Sequence, residues 1–140
     1  MQQTDHPRTW TLDIPAPAGW LNANKRSQHR YQTADRQAWY NTTLQYAAAA
    51  KLPRGLERVH ITAILRFRTD HPRDPNNWNP TTKVCVDALV KYGLVRDDNA
   101  NHVIGPDHRR GEKLPPLPPA KKRFAPVGHL ILVIRQLEVR

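Results

Sequence analysis

Residues 58–67 alternate more strictly than any other stretch of the chain. Val59, Ile61, Ala63, Leu65 and Phe67 fall on one parity, and His60, Thr62 and Arg66 on the other. Successive side chains of a strand point to opposite sides, so this run requires a sheet with one packed face and one partly wet face. Thr9 to Ile14 alternates in the same way, with Trp10, Leu12 and Ile14 on one side, and is ended by Pro15 and Pro17. Gly128 to Leu137 predicts another strand. Its unbroken apolar centre, Leu130 to Ile134, reads as a central strand covered on both faces. Asn101 to Ile104 is a short strand between them.

Two helices are expected. Ala34 to Lys51 carries an apolar stripe of Trp39, Tyr40, Leu44 and Ala47 and is stopped by Pro53 and Gly55. The second starts at Asn79, read as its N-cap, with Pro80 at the first helical position. It runs to about Tyr92 and closes at Gly93. Its buried stripe is Val84, Cys85, Ala88, Leu89 and Tyr92, while Lys83, Asp87 and Lys91 follow one another at i, i+4 spacing on the other side. The order is β-α-β-α-β-β, which predicts an α+β fold with a small mixed sheet of about four strands. Residues 1–8 are read as a flexible lead. Residues 106–126 read as a basic, proline-rich loop.

A chain of 140 residues with 39% hydrophobic content is expected to form one domain with a modest core, of a size that often completes its burial by dimerising. Its 22 basic residues against 12 acidic give a net charge of +10, which points to an anionic partner, most commonly nucleic acid. The one cysteine, Cys85, lies among Val84, Val86 and Ala88 and reads as a packed thiol. With no disulfide possible and no signal-like segment, a cytoplasmic location is expected. No apolar run reaches the roughly 20 residues a membrane helix needs.

Against this basic background five aspartates gather in one region: Asp70, Asp74, Asp87, Asp97 and Asp98. Mg²⁺ prefers one or two carboxylates, with waters and substrate phosphate oxygens completing its shell, and Asp74, Asp98 and an oxygen near Asn76 would suffice. Lys83 sits where it can meet a scissile phosphate or a leaving oxygen. A helix of about 13 residues spans roughly 20 Å, so Asp74 and Asp98 approach each other only if the flanking loops fold back. The same residues also make ordinary turns, with Asp74 before Pro75, Asp97-Asp98-Asn99 as turn chemistry and Lys83–Asp87 as a surface ion pair. The seven histidines show no metal-ligand spacing and read mostly as surface residues. Trp20 and Trp78 suit either base stacking or half-buried packing. Pro115 to Pro119 is either a stiff loop or a ligand for a proline-binding module.

The central block resembles the RusA family of Holliday-junction resolvases, particularly the versions carried by phages and prophages. The resemblance rests on Asp74-Pro-Asn-Asn77, Pro80-Thr-Thr-Lys83, Asp87-Ala-Leu89, Gly93-Leu-Val-Arg-Asp-Asp98 and Val103, together with Trp20-Leu-Asn-Ala-Asn-Lys-Arg26, and extends over roughly residues 9–137. It implies a homodimeric, Mg²⁺-dependent endonuclease, with Mn²⁺ as a substitute, that nicks four-way DNA junctions symmetrically. Asp74 and Asp98 would match the family's acidic residues and Lys83 its functional lysine, with Asp97 and Asn76 as further metal ligands. Asn24, Lys25, Arg26, Arg30, Arg73, Arg109, Arg110, Lys121, Lys122 and Arg123 would hold the junction arms by their phosphates. One departure is visible: the second aspartate of the family's Asp-x-Asp segment is Asn76 here. A neutral amide oxygen binds Mg²⁺ more weakly than a carboxylate, so either Asn76 is an accepted ligand, or Asp70, Asp87 or Asp97 takes its place, or the protein binds junctions and cuts them poorly.

Overall fold

A computed structural model describes residues 8–22, 29–69, 74–119 and 125–138, with only the backbone of residues 29–32. The elements are β1 (Thr9–Pro15), α1 (His29–Ala49), β2 (Val59–Phe67), a 3-10 turn (Pro75–Trp78), α2 (Asn79–Tyr92), β3 (Val103–Arg110) and β4 (Gly128–Gln136). The fold is α+β: a four-stranded mixed sheet in the order β1-β4-β2-β3, with two helices. β4 pairs antiparallel with both β1 and β2, and β2 pairs parallel with β3 across the α2 connection.

Packing follows the alternation. Val59, Ile61, Ala63, Leu65 and Phe67 are buried, as are Leu12, Ile14, Leu130, Leu132 and Ile134 from the neighbouring strands. They meet Trp39 and Ala47 of α1 and Val84, Cys85, Val86 and Leu89 of α2 in one core. β4 is central, as its apolar run predicts, but only one of its faces is fully buried. Ile131 and Val133 are half-buried on the open side, beside Ile64 and Thr62 of β2. A continuous apolar run does not distinguish these cases, because β-branched residues suit a half-covered face as well as a closed one.

α2 matches its predicted bounds. Gly93 takes φ 103°, and the N–H groups of Gly93 and Leu94 close onto the carbonyls of Val90 and Leu89. The start differs from expectation. Asn79 does not cap α2 with its side chain. It lies inside the helix, and its N–H closes the preceding 3-10 turn onto Asn76 O. Asp74 does the capping instead, one turn earlier. β3 also runs six residues past its predicted end, through Pro106 to Arg110, so the loop expected at 106–126 begins only at Gly111. α1 starts five residues earlier than predicted and stops at Ala49.

Candidate active site

The 3-10 turn is organised by Asp74. Its Oδ1 accepts the N–H of Asn76 at 3.0 Å and its main-chain carbonyl accepts the N–H of Asn77 at 3.0 Å. Pro75 follows at the first turn position, where a missing N–H costs nothing. The Asp-Pro pair thus makes a turn that opens directly into α2.

Two fully buried hydroxyls then fix the first turn of α2. Thr81 Oγ1 accepts the N–H of Leu21 at 2.7 Å and donates to Leu21 O at 2.8 Å, which clamps the segment after β1. Thr82 Oγ1 donates to Asn79 O at 3.1 Å and lies 2.8 Å from His108 Nε2 on β3. Neither threonine was picked out in the sequence. Their one visible signal is a pair of β-branched polar residues early in a helix, where neither propensity nor an apolar stripe favours them.

Lys83 leaves the same turn toward the other side. Its Nζ is 3.1 Å from Asp87 Oδ1 and also donates to Asp98 Oδ2. Asp98 reaches it because the chain reverses after Gly93. Leu94 and Val95 are buried, Val95 bridges to Leu56, and the segment returns along the helix. The loop fold-back on which the candidate site depends is therefore present on the Asp98 side.

The electrostatics follow from these contacts. Hydrogen bonds donated to Asp98 first, then to Asp87, raise the Lys83 pKa above its ordinary value. The Lys83 ammonium, seconded by the bond with Asp97, lowers the Asp98 pKa, so Asp98 is a carboxylate at neutral pH. Burial lowers the His108 pKa, opposed by the negative charges of Asp107 and then Asp74.

Asp97 turns both oxygens inward onto its own turn. Oδ1 accepts the N–H of Asp98 at 2.7 Å and Oδ2 accepts Asn99 Nδ2 at 3.3 Å. Asn76 is exposed beside Asp74. Among the described residues no three His, Cys, Asp or Glu side chains converge in a way that could hold a metal ion. The donors that remain are the carboxylates of Asp74 and Asp98 with the amide of Asn76. These are hard oxygen ligands, and two carboxylates are what Mg²⁺ ordinarily takes from a protein. By donor type this set suits that ion, and the Asp98 carboxylate is bonded to Lys83.

The expected DNA-binding cations divide. Arg109 and Arg110 are exposed at the end of β3. Asn24, Lys25, Arg26, Arg73, Lys121, Lys122 and Arg123 lie outside the described residues, as do Asp70 and the side chain of Arg30. Arg66 and Arg68 hold the loop after β3: Arg66 Nε donates to Glu112 O, and Arg68 donates to Pro126 O at 2.9 Å and Pro115 O at 3.4 Å.

Trp20 and Trp78 are half-buried and pack with Trp39 and Phe67, at ring-centroid separations of 5.0 to 5.9 Å. Of the histidines, His60 and His129 pair with Asp107 and Asp13 on the open face of the sheet. His108 departs from the surface role expected of it by turning into the domain. A cleft of about 900 Å³ lies at the far end of α2, lined among others by Arg58, Gly93, Arg96 and His102. The Lys83 side chain, by contrast, is about half exposed on an open shelf. Among the described residues no helix is long and apolar enough to cross a membrane. No protein-family model matches the chain, and no curated protein matches it.

Proposed function

We propose that this chain is a RusA-like endonuclease that acts as a homodimer and nicks four-way DNA junctions with Mg²⁺, Mn²⁺ serving as a substitute. The observation that carries the reading is the pairing of Lys83 with Asp98 across the chain reversal, on a helix preceded by the 3-10 turn that Asp74 caps. It joins three spaced members of the sequence motif, Lys83, Asp87 and Asp98, into one cation–carboxylate arrangement.

In this reading Asp74 and Asp98 hold the divalent ion, with Asn76 supplying a neutral oxygen. When bound, that ion supplies Lewis-acid activation of the phosphodiester and of the attacking water. Lys83 presents its ammonium to the charge that builds on the phosphoryl oxygens or the leaving oxygen. Its two carboxylate partners keep it protonated, so it acts as a fixed cation and not as a base. Arg109, Arg110 and the cations outside the described residues contact phosphates, which favours recognition of DNA structure over base sequence and makes affinity fall steeply with salt. The open shelf at Lys83 suits a duplex-sized substrate better than a closed pocket would.

The test is nicking of a synthetic four-way junction, with and without Mg²⁺, by the wild type, Asp74→Asn and Asp98→Asn. Metal-dependent nicks in the wild type and their loss in both variants are expected. Equal activity in all three proteins sinks the assignment. A second reading, a branched-DNA binder without cleavage, is favoured by one observation: the family's second aspartate is Asn76. It predicts metal-independent junction binding with no nicked product, and a gain of cleavage in Asn76→Asp.

A further inference from the structure

His108 faces the helices because of a single irregularity in β3. The parallel ladder pairs Val59 with Val103 and His60 with Ile104, then resumes at Thr62 with Asp107 and Ala63 with His108. Three residues of β3 pass where β2 advances by two. Without that bulge His108 would stand beside Ile64 on the open face of the sheet; with it, His108 stands beside Ala63 on the core side. Bulges re-aim side chains in this way. Gly105 makes the bulge possible: its φ is 97°, and a Cβ there would lie 2.6 Å from Ile61 O.

The ring so placed meets Thr82, which is wholly buried. A hydroxyl has one proton, and Thr82 gives it to Asn79 O. With that proton committed to Asn79 O, the 2.8 Å contact assigns the donor role to Nε2 of His108 and so the Nε2-protonated ring, which ¹⁵N NMR checks. This bond and the Thr81–Leu21 pair hold successive residues of one helical turn to β3 and to the segment after β1. Lys83 is next in the chain, about 100° further round the helix. A small rotation of the turn would swing its long side chain away from Asp98.

We infer that His108 is a positioning residue of the proposed nuclease, donating through Nε2 to Thr82 to set the rotation of the first turn of α2 and so the direction of Lys83. The inference rests on the nuclease reading, and the test separates the two. Nicking kinetics are compared for the wild type, His108→Ala, His108→Gln and Thr82→Val, and the His108 ring nitrogens are followed by ¹⁵N NMR in the wild type and in Thr82→Val. His108→Ala and Thr82→Val each lower kcat roughly tenfold or more, as supporting residues around metal sites do, with KM little changed. His108→Gln, whose amide N–H falls near the Nε2 position, recovers most of the rate. The wild-type ring shows the Nε2-protonated form, and its signals shift in Thr82→Val. An undiminished kcat in His108→Ala, a change confined to KM, no recovery with glutamine, or an Nδ1-protonated ring overturns the inference. Should alanine prevent folding, the glutamine and valine variants decide. A wild type that never nicks, with the ring bonded as described, rejects the nuclease reading, and the positioning role falls with it.

Discussion

The carboxylate of Asp98 closes on the ammonium of Lys83, fifteen residues earlier in the chain, and shares it with Asp87. Lys83 is about half exposed, so this is a solvent-screened cluster worth at most about 1 kcal/mol to the fold. In the proposed nuclease its weight lies in chemistry, because it holds a charged group still.

Lys83→Met tests that division. Junction nicking is expected to fall about 100-fold or more in kcat, the scale seen when one transition-state donor is removed. The thermal midpoint should shift little, and Mg²⁺ affinity should hold or rise once a competing cation leaves Asp98. Unchanged nicking, or an unfolded variant, contradicts the assignment; kinetics, calorimetry and metal titration read the three quantities.

The same pair predicts the pH dependence of stability at both ends. The folded Asp98 pKa is lowered, so its contribution is present above the ordinary carboxylate pKa and disappears as pH falls through the lowered value. The folded Lys83 pKa is raised, so its contribution is complete below the ordinary lysine pKa and is lost as pH rises through the raised value. Asp98→Asn should lower the neutral region of a plot of unfolding midpoint against pH by the small amount the pair contributes, with the two curves converging at both flanks. If the wild-type and variant curves run parallel throughout, the pair is not formed in solution.

Gly105→Ala should cost more than any surface change. The left-handed backbone alone costs about 1–3 kcal/mol for a residue with a Cβ, and the clash with Ile61 O adds to it. Denaturant titration measures the loss. A variant as stable as the wild type removes the bulge as the reason His108 faces inward.

Cys85 is wholly buried, and burial pushes its thiol pKa up to about 12, against a smaller opposing pull from Thr43. At pH 8 the native protein should resist a thiol reagent, and labelling should track unfolding as denaturant is added. Rapid labelling of the native protein refutes the packed-thiol assignment.

Much of the fold was legible because it depends on local pattern. The alternation at 59–67 and the Pro80 and Gly93 signals bound β2 and α2 closely. β3 falls short in the sequence because Pro106 and the basic run His108 to Arg110 read as the start of a basic, proline-rich loop. An edge strand tolerates all of them: proline needs no ladder donor there, and charged side chains reach solvent. Of the site, Lys83–Asp87 was visible as an i, i+4 pair. The Asp98 contact was not, since it depends on where Leu94 and Val95 bury after the helix ends. Thr82–His108 was further from view still, because it joins residues 26 apart and depends on a one-residue shift in strand register.

β1 pairs with β4 from Thr9↔Arg135 to Pro15↔His129, so among the described strands the first in the sequence is matched to the last. On a ribosome, the alternating faces of β1 and β2 must wait for residues 128–136 before either has its antiparallel partner. Helix α1 can form early, but the sheet closes in one late step that joins the most distant parts of the sequence. Such long-range closure slows folding and leaves Leu12, Ile14, Ile61 and Leu65 open to misassociation in the interval. A chain cut before β4 should therefore lose β1 from the sheet as well and keep at most the β2–β3 pair, too small to stand alone.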